Sequence, residues 1–533
     1  MKKLAVALLL PSVAFADQIT IPDVRTGDVA DPVYVNTLKA ESNSQDLRLN
    51  TLESAVVIGE SGNTSVGEDG LASNTTGLAN TSFGAATLSR NTEGSSNTAV
   101  GVNTLFFNTT GNSNTAIGRE ALFRVETGGD NTAVGINALK FNTVSENTAV
   151  GSYALELNTE GASNTAIGAL ALQANQTGGN NTATGYSALA SNTSGFRNIA
   201  MGSNALSSNT KGSNNVAVGS EALSSNELGN DNVAIGMEAL LNNTAGRNTA
   251  VGSRALRANT TGLSNIAVGY SSLSSNTTGG SNTAIGNSSL QDNTTGGSNI
   301  AIGNWSLQAN TIGTDNVAIG VNSLFVNDNG DQNVALGVSS LAANTDGNQN
   351  VALGVSSLAA NTEGNQNVAV GYQSLVGNIA GIGNVAVGWK AQNAKFGNYN
   401  TVVGAEAAVN SGANNSTALG RGAVATDSNV IQLGNDQVQE VRTSGTLKLG
   451  AVTYPAPNVA PGVGNYLVMS SSGVAQWAPP QFAAADTQEL EEQVAALQKQ
   501  LDAQQKELLA IVQSQQEQIA QLQRLVEHQF AAR

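Results

Sequence analysis

The chain contains no cysteine, a single histidine (His528) and only 8 prolines in 533 residues. Aromatic residues make up 4% and charged residues 12%. The missing cysteines exclude disulfides and thiolate metal sites. The lone histidine removes His-based catalytic triads and imidazole metal centres from consideration. A disordered chain would carry more charge and proline and would not keep apolar residues at fixed spacings. What is abundant is small: 59 glycines, with asparagine, serine, threonine and alanine between them. The formal net charge is −16, spread thinly, with no Lys/Arg stripe to displace counterions, so no nucleic-acid partner is expected.

At the N-terminus Lys2-Lys3 precede an apolar run over residues 4–10, and Ala14-Phe15-Ala16 gives a small-x-small cleavage pattern. This predicts a secretory signal peptide over 1–16, too short to span a bilayer, and Sec-dependent export. The expected destination is the cell surface or the extracellular space, with the periplasm as the alternative. No transmembrane segment is expected in the mature chain.

From Asn63 onward one glycine recurs every seventeen, occasionally sixteen, residues, from Gly67, Gly84 and Gly101 to Gly404. A representative unit reads Asn97-Thr98-Ala99-Val100-Gly101, then Leu105, then Asn108-Thr109-Thr110-Gly111. Thr, Val or Ile stands three before the glycine (Thr182, Ile199, Val216) and Val or Ile one before it. That alternation is a strand signal, and it predicts the β-branched side chains facing a packed interior with the intervening Ala on the opposite face. The glycine permits a bend. The Leu four residues later, recurrent from Leu71 to Leu375, predicts a second short strand, and Asn-Thr-x-Gly closes the unit as a turn. In the sixteen-residue units the missing residue falls between Asn142 and Asn147, and between Asn243 and Asn248, so the turn absorbs the deletion.

One unit would bury about three aliphatic side chains, roughly 2 kcal/mol each. Ordering seventeen residues costs on the order of 20 kcal/mol. A lone unit cannot fold. Stacked units place identical residues in register and form ladders of Leu, Val/Ile and Asn along a rod on the order of 100 Å long. Each coil stays thin, so further burial against neighbouring chains is expected, with the recurrent Ala face as the candidate contact.

Asn114-Thr115-Ala116-Ile117-Gly118 and its siblings, with Ser416-Thr417-Ala418-Leu419-Gly420-Arg421-Gly422-Ala423 and Ile431-Gln432-Leu433-Gly434 as the closest match, resemble the YadA-like head repeats of trimeric autotransporter adhesins. The resemblance covers about residues 55–435. It implies a left-handed parallel β-roll, three chains side by side, displayed at a bacterial surface to bind host or environmental matrix. The period here is longer than that family's fourteen, and no membrane-anchor barrel is read near the C-terminus. The segment 445–477, with Tyr454-Pro455, Tyr466-Leu467-Val468-Met469 and Trp477, resembles the connector before endosialidase-type intramolecular chaperones of phage-fibre-like proteins.

Beyond the Pro-rich linker, Leu490, Val494, Leu497, Leu501, Gln504 and Leu508 follow four-three spacing. Val512, Gln515, Ile519, Leu522 and Val526 resume it after a stutter. This predicts an α-helical coiled coil. Upstream, Val35, Leu38, Ser42, Gln45, Leu49, Leu52 and Val56 fit heptad spacing weakly and suggest a short helical cap. The expected organisation is a signal peptide (1–16), leader (17–56), all-β solenoid (57–436), connector (437–484) and coiled coil (485–530).

No catalytic, cofactor-binding or metal-ligating residue is expected, and no cofactor. Gly128-Gly129-Asp130 lacks the recurrent spacing of calcium-binding nonapeptides, so Asp130, Asp231, Asp315 and Asp331 read as turn residues. Asn108-Thr109-Thr110 matches a glycosylation acceptor only formally. The expected function is non-enzymatic: an adhesin-like homotrimer binding matrix or a surface ligand. A phage-tail-fibre-like appendage is one alternative. Ice binding is another, through the column Thr75, Thr92, Thr109, Thr143, Thr159, Thr193, Thr210 and Thr244, which Glu126, Glu227 and Asp328 interrupt.

Overall fold

Three residues of strand per unit, repeated in register, build the molecule. A computed structural model describes residues 61–392 and 397–438, and strand segments 56–58, 441–442, 447–449, 452–454, 466–469 and 475–478. It also describes short helical stretches at 498–500, 504–506, 512–516 and 518–519. The principal sheet has 24 strands. Each repeat pairs in parallel with the next, as Thr98–Val100 with Thr115–Ile117 and Ile199–Met201 with Val216–Val218, with like residues opposite like. The repeat is therefore a parallel β-solenoid. Its first edge is covered by Val56–Ile58, which runs antiparallel to Thr64–Val66 and occupies the hydrogen-bonding edge that an open end would expose. Val56 thus opens a strand, not a helix. The other leader residues read as a helical cap lie outside the described residues.

The alternation along each strand is real, but its faces are the reverse of the sequence expectation. Ala99, Ala116, Ala200, Ala217 and their equivalents are fully buried, whereas the β-branched residues on either side are half-buried or exposed. A seventeen-residue coil is too narrow for two β-branched side chains pointing inward across from a leucine. Along most of its length each strand turns a single methyl inward, with Val402 the larger exception. The larger side chains stand outside, each stacked on its equivalent one coil away, a setting β-branched residues suit as well as a packed interior. The alanine column is thus the core, and is removed as a contact surface.

The leucine column is buried as expected but forms no second strand. Leu105, Leu206 and Leu307 have φ of 51, 52 and 49°, in the left-handed region. A strand needs consecutive extended residues, and here left-handed residues two apart, such as Asn103 and Leu105, curl the chain. Left-handed backbone costs an L-residue about 1–2 kcal/mol. Complete burial of leucine offsets a cost of that size, and the bend still carries coil-to-coil bonds such as Leu105 N–H to the Ala121 carbonyl, 3.0 Å. Only where the coils shorten does a second strand appear, Ala408–Val409 beside Val424–Ala425.

Two columns of fully buried asparagine complete the core. In the first, the Asn97 Oδ1 accepts the backbone N–H of Asn114 at 2.9 Å, and the Asn97 Nδ2 donates to the Gly111 carbonyl at 2.9 Å. In the second, the Asn108 Nδ2 donates to the Asn91 Oδ1 at 2.6 Å and to the same Gly111 carbonyl at 3.0 Å. Gly111 is glycine because a Cβ there would lie 2.4 Å from both the Asn108 Oδ1 and the Gly128 carbonyl. The sixteen-residue coils keep this arrangement. Thr132 still pairs with Thr148, and the Val144 carbonyl takes the Asn131 and Asn142 amides that a glycine carbonyl takes elsewhere.

After the solenoid, Leu447–Leu449 and Val452–Tyr454 form an antiparallel pair, and Tyr466–Met469 pairs with both Ala475–Ala478 and Val441–Arg442. Of the expected heptad seam, Gln504, Val512, Gln515 and Ile519 lie in exposed helical stretches. The remaining seam residues, and His528, lie outside the described residues.

Candidate binding surfaces

Three longitudinal features distinguish the outside of the solenoid. The first is a ribbon made by the two outward residues of each strand and the residue after the glycine. Over Val317–Ile319, Val334–Leu336, Val351–Leu353, Val368–Val370 and Val385–Val387, followed by Val321, Val338, Val355, Tyr372 and Trp389, every member is aliphatic or aromatic. None is buried; Val338 is 46% and Trp389 45% exposed. Upstream the same ribbon is more polar, because its first column is threonine at Thr98, Thr115, Thr132, Thr148, Thr165 and Thr182. Contiguous apolar patches of this kind are the surfaces by which single chains commonly meet a partner.

The second is the turn column of threonines. Each of the eight hydroxyls named above donates to a main-chain carbonyl of the following coil, as Thr92 Oγ1 to Thr109 O at 3.1 Å and Thr193 Oγ1 to Thr210 O at 3.0 Å. Thr75, Thr109, Thr143, Thr159, Thr210 and Thr244 do the same. These protons are committed to the fold. The aspartates behave as turn residues: Asp130, Asp231 and Asp315 take left-handed positions, and the Asp331 carboxylate accepts the Thr314 N–H at 2.6 Å. Among the described residues no group of three or more His, Cys, Asp or Glu could hold a metal ion, and no helix is long and apolar enough to cross a membrane.

The third is an aromatic and cationic cluster half a coil away from the strand. Phe106, Phe107 and Phe123 pack with ring centroids 4.9–5.5 Å apart, and the Arg90 guanidinium lies 4.6 Å from the Phe107 centroid. Phe141 follows, flanked by the Lys140 ammonium at 5.4 Å and the Arg124 guanidinium at 6.0 Å. Lys140 is also paired with Glu120 at 2.6 Å. Sequence reasoning passed over this cluster, although four of the 11 phenylalanines fall within residues 106–141. A second signal stood beside it. From Asn74 to Asn378 the second asparagine column is broken once, by Val125, and the buried Asn108 Oδ1 beneath it is left without a donor.

Fold and surface together define a parallel β-solenoid held internally by asparagine ladders. No protein-family model matches the chain, and no curated protein matches it either.

Proposed function

We propose that this chain is a non-enzymatic fibrous protein of the bacterial surface or exterior, an adhesin-like rod that binds host or environmental surfaces. The observation that carries the reading is the solenoid itself: a stack on the order of 100 Å long, at about 4.8 Å per strand, whose outer face repeats one chemistry many times. Weak contacts repeated along a rigid array add as avidity. The resemblance of Asn114-Thr115-Ala116-Ile117-Gly118 and its siblings to adhesin head repeats supports the same reading, as does the signal-peptide pattern at residues 1–16.

The chain functions as a homotrimer in this reading, with the chains meeting along the apolar ribbon rather than the alanine column. The ribbon over residues 317–389 supports this, since burying it between chains supplies the apolar area that each thin coil lacks. The heptad residues Val512 and Ile519, 49 and 51% exposed, would enter the seam of a C-terminal coiled coil. Labelling of intact producing cells with a membrane-impermeant reagent tests the reading: modification of the protein supports display, and recovery of unlabelled protein from the cytoplasm alone refutes it.

A fibre-like appendage is the second reading, favoured by the antiparallel pairs at 447–454 and 466–478 in the connector. Genomic neighbours encoding tail proteins would select it.

A further inference from the structure

Beside Phe141 the outer surface opens into a groove of about 570 Å³ lined by Arg124, Glu126, Phe141, Thr143, Leu157, Thr159 and Gln176. It spans the sixteen-residue coil, whose turn at Thr143-Val144-Ser145 is one residue shorter than its neighbours'. We propose that this groove is a carbohydrate-binding subsite for a neutral oligosaccharide.

Several observations point to that chemistry. The Phe141 ring and the Leu157 side chain, 39% exposed, offer an apolar wall against which the C–H face of a pyranose can lie. The polar groups around it are a guanidinium, a carboxylate and an amide. Among the described residues none of Arg124, Glu126 and Gln176 forms a side-chain hydrogen bond or ion pair, apart from the approach of Arg124 to Phe141. Sugar hydroxyls both donate and accept, so adjacent hydroxyls can take the donor fork of Arg124, the acceptor pair of Glu126 and the mixed amide of Gln176 together. An anion would gain from Arg124 but be opposed by Glu126. Thr143 and Thr159 use their protons on carbonyls and retain acceptor lone pairs.

The break in the core lies at the same place. Val125, between Arg124 and Glu126, is the residue that leaves Asn108 Oδ1 unpaired. Departures from a fold's own rule concentrate at functional sites, and this departure falls under the groove.

The inference deepens the surface-binding role and rests on it for its biological sense. Its test uses purified full-length protein, so it succeeds or fails whether or not the protein is displayed on cells. The protein is applied to an array carrying neutral and acidic oligosaccharides, alongside Phe141→Ala, Arg124→Gln and, as control, Phe196→Ala, which removes an exposed aromatic remote from the groove. Thermal melts verify that each variant keeps the solenoid. The expected result is capture by a subset of neutral glycans, reduced at least tenfold by F141A and by R124Q and unchanged by F196A. Absence of capture, capture confined to sialylated or uronic-acid glycans, capture indifferent to F141A and R124Q, or equal loss in F196A would each overturn the assignment.

Discussion

Asn192 donates its side-chain amide to the Oδ1 of Asn175 at 2.7 Å, seventeen residues away, and both side chains are fully buried. The same amide reaches the Gly195 carbonyl at 2.9 Å, and the Asn192 Oδ1 accepts from Asn209 at 2.8 Å. Polar ladders of this kind take the place of a large apolar core, because every rung satisfies the next. Replacing Asn192 by alanine removes a rung and strands the buried groups on both sides. Each stranded group costs about 1–3 kcal/mol, so Asn192→Ala should destabilise the solenoid by about 3 kcal/mol. A denaturant titration followed by circular dichroism measures it; a change of only a few tenths would show that the ladder contributes little.

The opposite substitution is available one place in the same column. Asparagine at position 125 would give Asn108 Oδ1 its missing donor and give the Asn142 Nδ2, which now donates only to the Val144 carbonyl at 2.6 Å, an acceptor one coil back. Val125→Asn should stabilise the protein by about 1 kcal/mol, because relieving the buried unpaired Asn108 Oδ1, which costs about 1–3 kcal/mol, together with the new bond from Asn142 outweighs the loss of one buried valine. Thermal melting of the variant beside the parent checks the direction.

If chains meet along the apolar ribbon, charge there must separate them. Leu336→Asp combined with Leu353→Asp places carboxylates in the middle of the 317–389 patch, where desolvating them costs several kcal/mol each. Light scattering should read the parent as an oligomer and the double variant as a monomer or a weakened assembly, with unchanged β-sheet circular dichroism. The same charges at Ala335 and Ala352, inside the coil, should instead unfold it.

Two carboxylates should respond to acid in opposite senses. Burial raises the Asp292 carboxyl above its ordinary value, so its ionisation opposes folding at neutral pH, and the penalty disappears as pH falls below the unfolded-state value. Asp292→Asn should therefore be the more stable protein at pH 7 and equal to the parent in acid. The Glu238 carboxyl is lowered, chiefly by its hydrogen bond from Arg257, with Arg254 adding to it. Its contribution is present above the unfolded-state value and is lost as pH falls through the folded one. Glu238→Gln should be slightly less stable than the parent at pH 7 and indistinguishable in acid. Melting temperatures across the range pH 3–7 separate the two cases.

Much of the solenoid was legible because its order is one-dimensional. The spacing of Gly101, Gly118 and Gly135 gives the coil, the shortened stretch at Asn142 to Asn147 marks the turn, and Asn97 and Asn114 in one column foretell the ladder. Less of the surface was legible. Alternation in Thr98-Ala99-Val100 says that neighbours face opposite ways, but not which way is in. Leucine in a left-handed turn reads from sequence as leucine in a strand. The groove escaped because Arg124, Phe141, Leu157 and Gln176 belong to four successive coils.

The amino-acid order alone determined that units stack, how far apart they lie and where they bend, since those depend on period and on glycine and asparagine at fixed places. The tertiary structure decided that alanine is interior and that valine, isoleucine and threonine are exterior, because only the closed cross-section of the coil sets how much volume the inside can hold. It also decided where the outer surface opens, since a cavity is formed by side chains that adjoin only after the coils are laid on one another.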